Sequence, residues 1–139
     1  MGDGYIVALD LATITGFAMW RPGLDKPVSG TWTIPQTGED AGKFLFLARE
    51  RFNKTFWETK IETLVYESPV LPPKTQIATL RKLYGLAAFT ELLALDLKVN
   101  TVLEVSNASF RKHFSSICKS LRHRYILISL IIRNTHIMP

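Results

Sequence analysis

Two short apolar runs, each ending on a carboxylate, most constrain how this chain can fold. Residues 5–9 form a compact β-prone run that leads directly into Asp10. Residues 63–66 form a second run of the same kind, and Glu67 follows it. Continuous apolar runs of this length are typical of strands that are buried on both faces of a sheet. The sequence therefore predicts two buried strands, each carrying one acid at its carboxyl end.

The region between these runs contains signals for two further strands and a helix. Residues 17–20 and 28–34 are β-prone, and the Pro- and Gly-rich segment between them indicates a turn, so the first three strands form an antiparallel meander with the third at the edge. Apolar residues spaced by three and four then predict an amphipathic helix that runs to about residue 59. Thr37 and Asp40 are spaced as a capping box at its start.

A second helix is predicted over residues 74–97, because Pro73 is followed by a long stretch of helix-forming residues. Gly85 lies in the middle of this stretch, where it costs about 1 kcal/mol relative to alanine, and it indicates a close approach of another backbone or helix. A fifth strand over residues 99–105 and a short basic helix over residues 107–114, capped by Ser106, complete the pattern.

The resulting order, β-β-β-α-β-α-β-α, predicts an α/β fold: a mixed five-stranded sheet with helices on both faces. Ligands of such sheets collect at the carboxyl ends of the strands, where Asp10 and Glu67 are placed. Neighbouring strands lie about 4.8 Å apart. If the first and fourth strands are neighbours, both carboxylates therefore reach one hard cation.

Composition limits the class of protein. A length of 139 residues fits a single domain, and the one cysteine, Cys118, excludes an internal disulfide framework and a cysteine-cluster zinc site. A reducing, cytoplasmic setting is expected. Neither a basic leader at the start nor an apolar run of membrane-spanning length is present, so we expect a soluble protein without a membrane partner.

Charge is distributed unevenly along the chain. All 12 acids lie at or before Glu104, in a region that also holds 11 Lys and Arg, whereas the last 35 residues hold six Lys and Arg and no acid. A basic end on a near-neutral body is typical of a polyanion partner such as nucleic acid. A solvated basic tail is an equally simple interpretation of the same pattern.

These motifs resemble those of the RuvC-like Holliday junction resolvases, which have the ribonuclease H-like fold. Residues 6–18 are similar to the first hairpin of that family, with its metal-binding Asp, and residues 64–69 are similar to its fourth strand, which ends in a catalytic Glu. The helix around residues 83–88 and the turn from Val105 to Ser106 resemble the segments that follow. The resemblance covers residues 5 to 114. It predicts a nuclease core over residues 1–114 and a separate basic and apolar tail over residues 115–139.

The resemblance implies a function and a set of site residues. Asp10 would bridge two Mg²⁺ or Mn²⁺ ions, and Glu67 would hold one of them; two such ions lie about 4 Å apart in nucleases of this kind. The substrate would be branched or four-way junction DNA, and the enzyme would act in DNA recombination and repair. A homodimer is possible, because a junction presents two related cut sites. Five basic residues would contact phosphates: Lys74, Arg81, Lys82, Arg111 and Lys112.

The chain departs from the family pattern near its C-terminus. The family places one or two further metal-binding acids on a late helix, but no Asp or Glu follows Glu104 here. A truncated or altered C-terminus explains both this loss and the change of texture after Phe114. We therefore expect a weak or inactive nuclease. Glu104 is a possible stand-in ligand, although a strand-end acid next to a helix cap is more often a solvated or capping carboxylate.

Two functions from other classes stay open at this stage. A noncatalytic nucleic-acid-binding module fits the missing acids and the basic end. An actin-like or sugar-kinase-type ATPase fragment shares the strand order and an Asp followed by a Thr-bearing turn. The second interpretation requires Gly two residues after Asp10, where this chain has Ala12, and a second lobe for which the chain is too short.

Overall fold

The computed structural model of the chain describes residues 3–106. They form five strands and two helices. In chain order these are β1 (Tyr5–Asp10), β2 (Ile14–Trp20), β3 (Val28–Thr33), α1 (Ala41–Phe56), β4 (Ile61–Glu67), α2 (Ile77–Asp96) and β5 (Thr101–Val105). This order confirms the predicted succession as far as the fifth strand. The helix predicted for residues 107–114 and the predicted tail both lie outside the described residues.

The strands form one mixed sheet in the order β3-β2-β1-β4-β5. β2 pairs antiparallel with both β1 and β3, whereas β4 pairs parallel with both β1 and β5. The antiparallel edge and the parallel strands beyond it are as predicted. The pairing of β1 with β4 meets the condition under which Asp10 and Glu67 were expected to reach one cation. A crossover through α1 brings β4 back beside β1, and this pairing joins the two carboxylate-bearing strands.

Both described helices pack on one face of the sheet. Val7 and Leu9 of β1 and Leu64 and Tyr66 of β4 alternate onto this face, where they join one buried cluster with residues of α1 and α2. The helical members of the cluster are Phe44, Ala48, Phe52, Phe56, Leu86, Ala87, Leu93 and Ala94. Ala8, on the opposite face, is also buried. Helical cover of that second face stays a prediction, because the third predicted helix falls on residues 107–114.

The first helix begins later than the capping-box pattern indicates. Asp40 is its N-cap: the side chain accepts a 2.8 Å hydrogen bond from the backbone N–H of Lys43. Thr37, which was predicted to cap the helix, instead donates its hydroxyl to the carbonyl of Asp40. Gly38 has a φ of 58°, a left-handed conformation that ends any helical path between the two residues. The polar pair was recognised correctly, but its roles were wrong.

The second helix also begins later than predicted, at Ile77, with Gln76 as its N-cap. Lys74 has a φ of 68°, so it lies in a turn and not in the helix. The turn is closed by Thr75, whose hydroxyl and N–H both reach the carbonyl of Pro72. Neither helix within residues 3–106 is long and apolar enough to cross a bilayer.

The glycine in α2 marks a close helix contact, as predicted. A Cβ on Gly85 would lie 3.1 Å from Cδ1 of Leu45 in α1. Contacts this short are tighter than ordinary van der Waals packing, so the missing side chain lets the two helices approach each other.

Candidate metal site at the strand ends

Asp10 and Glu67 occupy equivalent positions on neighbouring parallel strands. The register pairs Leu9 with Tyr66, and the two acids are the next residue on each strand. Adjacent strands lie about 4.8 Å apart, so the two backbones present their carboxylates from adjoining positions. Since Leu9 and Tyr66 point toward the helices, alternation directs Asp10 and Glu67 to the other face of the sheet. Asp10 is exposed and Glu67 is half-buried.

The turn that follows Asp10 is held by a buried threonine. Thr15 is 1% exposed, and its hydroxyl donates a 2.7 Å hydrogen bond to the carbonyl of Ala12 while accepting one of 3.4 Å from the N–H of the same residue. The carbonyl of Thr13 accepts a 2.9 Å hydrogen bond from the N–H of Ile34. These contacts join the β1–β2 turn to the end of β3, so the backbone leaving Asp10 is fixed.

The residue before Glu67 is anchored to α2. Tyr66 is buried on the helix face of β4, and its hydroxyl donates a 2.5 Å hydrogen bond to Oε1 of Glu91. Burial raises the pKa of the Tyr66 hydroxyl, and the hydrogen bond to the Glu91 carboxylate raises it further. The end of β4 is thereby tied to the helix that covers it.

The residue after Glu67 is anchored to β5. The N–H of Ser68 donates a 2.9 Å hydrogen bond to the carbonyl of Val105, and its hydroxyl donates one of 2.6 Å to Glu104. Glu104 pairs in register with Tyr66, so it belongs to the helix face of the sheet and not to the face of Glu67. This arrangement favours the interpretation of Glu104 as an exposed hydrogen-bonding carboxylate over that of a stand-in metal ligand.

The donor set suits a hard divalent cation. Carboxylate oxygens are the ligands that Mg²⁺ and Mn²⁺ prefer, and Mg²⁺ is commonly held by one or two carboxylates, with waters and substrate phosphates completing its shell. Asp10 and Glu67 offer such a pair on rigid strands. Across residues 3–106 no three His, Cys, Asp or Glu side chains cluster as a metal site.

Three of the predicted phosphate contacts fall on described residues. Lys74 is exposed in the turn after β4, and Arg81 is exposed on α2. Lys82 is half-buried: its amine donates a hydrogen bond to the carbonyl of Gly38 and lies 5.4 Å from the centre of the Phe44 ring. Arg111 and Lys112 lie outside the part of the chain that the structure describes.

Sequence reasoning missed the residues that fix the site from behind. The period of two along β4 does indicate that Tyr66 faces away from Glu67. Its partner Glu91 has no sequence signal, because the two residues are 25 positions apart and meet only when α2 packs on the sheet. Thr15 likewise reads as an ordinary strand residue until its hydroxyl is seen to close the turn at Ala12.

The strand order β3-β2-β1-β4-β5, with its antiparallel edge and its parallel strands, is that of the ribonuclease H-like fold. No family model and no curated protein matches the sequence. Similar solved structures do exist. Thermus thermophilus RuvC in complex with a Holliday junction substrate superposes with a TM-score of 0.63 at 10% identity, over 81% of this chain and 71% of that one. A second Thermus thermophilus RuvC structure gives a TM-score of 0.57 at 11% identity, over 94% of this chain and 78% of that one.

The yeast mitochondrial Holliday junction resolvase Ydc2 is a third similar structure. It superposes with a TM-score of 0.63 at 13% identity, over 95% of this chain. The chain spans only 62% of the length of Ydc2. At these identities the likeness shows the fold alone: the chain has the fold of the RuvC-type resolvases.

Proposed function

We propose that the chain is a divalent-metal-dependent endonuclease of the Holliday junction resolvase type, which acts on branched DNA through Asp10 and Glu67. One observation carries the proposal: the two acids are adjacent in register at the carboxyl ends of β1 and β4 in a RuvC-like fold. The similar structures include a RuvC bound to a Holliday junction substrate. Asp10 and Glu67 are two carboxylates where the family pattern has one or two more, so we expect the activity to be weak.

The proposed mechanism assigns each residue a task. A divalent ion bound at this site would supply an activated water and would neutralise charge on the phosphate oxygens. Asp10 and Glu67 would hold that cation, and the fixed strands would keep their carboxylates in place as the phosphate approaches. Thr15, Tyr66 and Ser68 do not touch the substrate; they position the backbone on either side of the two acids.

The proposed phosphate contacts differ in setting. Lys74 projects from the exposed turn that follows β4, at the same edge of the sheet as Glu67. Lys82 lies near the β1–β2 turn. Its amine donates a hydrogen bond to the carbonyl of Gly38, in the loop between β3 and α1. Each such contact adds a modest, salt-dependent share of DNA affinity. Arg111 and Lys112 are proposed from the sequence alone.

We further propose that two copies associate through α2. Large apolar side chains recur along one exposed face of this helix: Ile77, Tyr84, Leu92 and Leu95 are 74%, 57%, 55% and 76% exposed. Their spacings of seven, eight and three residues place them on one side of the helix, in one stripe, and Ala88 lies in the same stripe. Exposed apolar stripes of this kind mark interaction surfaces.

The stripe is complementary to itself, which favours a second copy over an unrelated partner. In an antiparallel pairing of two α2 helices about a two-fold axis near Leu86, Ile77 faces the partner's Leu95, and Tyr84 covers the partner's Ala88. Arg81 then faces the partner's Glu91, so opposite charges meet. In this arrangement Arg81 contributes to the dimer interface, in addition to the predicted phosphate contact.

The ATPase alternative lacks support from the turn that would cradle a phosphate. The N–H of Ala12 is directed to the hydroxyl of Thr15, so it is not presented to a ligand. The noncatalytic binding module differs from the nuclease in chemistry only, and the cleavage experiment separates them.

The test is metal-dependent cleavage of a labelled four-way junction by the full chain, beside a linear duplex of the same sequence. We expect slow cleavage of the junction in Mg²⁺ or Mn²⁺, none in EDTA, and loss of cleavage but not of DNA binding in Asp10→Asn. Tight junction binding without cleavage in either metal would establish the noncatalytic module instead. Hydrolysis of ATP without DNA binding would favour the ATPase.

A further inference from the structure

A cavity of about 350 Å³ opens beside the turn that follows Asp10. Its polar lining comes from three elements: Thr13 of the β1–β2 turn, Gln36 of the β3–α1 loop, and Thr79 and Lys82 of α2. Pro35 and Leu83 supply apolar wall. This volume lies within the range of small-molecule sites, about 300–1,000 Å³, and it far exceeds what a lone phosphate would fill.

The ammonium group of Lys82, in the cavity wall, is held in place before any ligand binds. The amine of Lys82 donates one hydrogen bond to the carbonyl of Gly38 and lies 5.4 Å from the centre of the Phe44 ring. An ammonium group has three donors, so the bond to Gly38 leaves capacity for an anion or a base acceptor. Thr13, Gln36 and Thr79 are exposed around it, which keeps the cavity open to solvent.

The cavity lies next to the candidate metal site. Thr13 is three residues beyond Asp10, and three residues span at most about 11 Å. Leu83 and Lys82 belong to α2, so the cavity lies on the helix-covered face of the sheet. Asp10 and Glu67 lie at the same edge of the sheet, but their side chains are directed to the opposite face. A DNA strand that places a phosphate at the two acids therefore brings a nucleotide one or two positions away within reach of the cavity.

We propose that this cavity binds one unpaired nucleotide of the DNA, next to the phosphate held at Asp10 and Glu67; the inference rests on the proposed nuclease function. Lys82 contacts its phosphate or an acceptor on the base, and the base lies flat against Pro35 and Leu83. The amide of Gln36 provides a donor and an acceptor for the base edge. A branch point is where this costs least, because stacking and pairing are already interrupted there.

The experiment measures binding of the four 2′-deoxynucleoside 5′-monophosphates to the full chain by calorimetry in EDTA, so that no cleavage occurs. Thr79→Phe fills the cavity from an exposed helix position, and Gln36→Leu removes the base-edge contact; Thr31→Phe, at an exposed position of β3, is the matched control. We expect saturable binding to the unaltered chain and to the control. Binding should weaken at least about fivefold in the other two variants.

A second readout uses a four-way junction with 2-aminopurine at the branch point, whose fluorescence rises when the base leaves the stack. The unaltered chain should raise the fluorescence, and Thr79→Phe should abolish the rise while circular dichroism shows an intact fold. The proposal is overturned if no nucleotide binds saturably, if Thr79→Phe binds as tightly as the control, or if inorganic phosphate competes as well as the nucleotides do.

These outcomes separate the cavity from the nuclease. Nucleotide binding that is lost in Thr79→Phe, in a chain that never cleaves junctions, would contradict the proposed activity and leave the cavity assignment standing. Junction cleavage that depends on Asp10, in a chain whose nucleotide binding ignores Thr79→Phe, would do the reverse.

Discussion

The hydroxyl of Tyr66 lies 2.5 Å from the carboxylate of Glu91, and this hydrogen bond ties the strand that carries Glu67 to the helix that covers the sheet. Tyr66 is 1% exposed, so its ring packs in the core, while its hydroxyl reaches the carboxylate of Glu91 on α2. A hydrogen bond to an ionised acceptor contributes more than a neutral one. The anchoring of Glu67 is therefore a matter of stability as well as of geometry.

Tyr66→Phe should lower the free energy of unfolding by about 1–2 kcal/mol, because it removes the hydrogen bond to Glu91 and keeps the ring. Urea unfolding of the full chain measures the change. Tyr5→Phe, on a half-buried ring of β1, is the control and should change the stability by less than about 0.5 kcal/mol. Equal effects of the two substitutions would show that the Tyr66 hydroxyl contributes nothing particular.

Stability should also depend on alkaline pH through Tyr66. Burial and the bond to Glu91 raise the pKa of its hydroxyl, so the folded chain keeps this proton above pH 10, near which the unfolded chain loses it. Below that pH both states are protonated and the contribution is constant. Above it the unfolded state binds fewer protons, so stability falls by about 1.4 kcal/mol per pH unit from this group.

The measurement is urea unfolding of the unaltered chain and of Tyr66→Phe between pH 9 and pH 11. The other ionisable groups are common to both proteins and cancel in the difference, so the stability of Tyr66→Phe should fall less steeply. Parallel pH profiles would contradict the raised pKa.

Packing against Phe17 should make Gly30 intolerant of a side chain. A Cβ at this position would lie 2.6 Å from Cζ of Phe17, whose ring is stacked on Trp32 at 5.3 Å and meets Phe56 edge-on at 5.6 Å. Gly30→Ala should therefore destabilise the fold by about 1–3 kcal/mol in thermal unfolding. Gly42→Ala, in the first turn of α1 where the nearest atom is 3.5 Å away, should gain up to about 1 kcal/mol. A stabilised Gly30→Ala protein would refute the packing.

The apolar stripe on α2 should control association. Analytical ultracentrifugation of the full chain should show a dimer at micromolar concentration, and Tyr84→Lys and Leu95→Lys should each convert it to a monomer, because each places an unpaired charge in the interface. Phe46→Lys is the matched control, since Phe46 is a large apolar residue that is 58% exposed on α1 and is not a member of the stripe. A monomer at all concentrations, or dissociation by the control alone, would remove α2 as the interface.

The features that sequence alone predicted are those set by local chemistry. Apolar runs of strand length that end on an acid correctly indicated that Asp10 and Glu67 lie at the carboxyl ends of two strands. That β1 and β4 pair was only a condition, because the crossover through α1 joins β3 to β4 and the sequence does not specify which strand β4 lies beside. A glycine inside a helix is unfavourable without a packing reason, so Gly85 indicated a close contact, which the structure shows is made with Leu45.

The features that escaped depend on conformation or on distant partners. Both helix starts were placed too early, because the left-handed residues Gly38 and Lys74 that end the preceding turns are visible only in the backbone. The exposed face of α2 escaped because the helix is apolar on nearly all sides, and only the packed sheet decides which side is buried. Tyr66 and Glu91 meet across 25 residues that no local pattern relates.

The most direct test of the account is Mn²⁺ binding to the full chain, followed by electron paramagnetic resonance in the absence of DNA. Asp10→Asn and Glu67→Gln are compared with Asp25→Asn and Glu58→Gln, which alter exposed acids in the β2–β3 and α1–β4 connections and not at the carboxyl ends of β1 and β4. The account predicts that each of the first two substitutions abolishes Mn²⁺ binding and that neither of the last two changes it. Unchanged Mn²⁺ affinity in both Asp10→Asn and Glu67→Gln would contradict it.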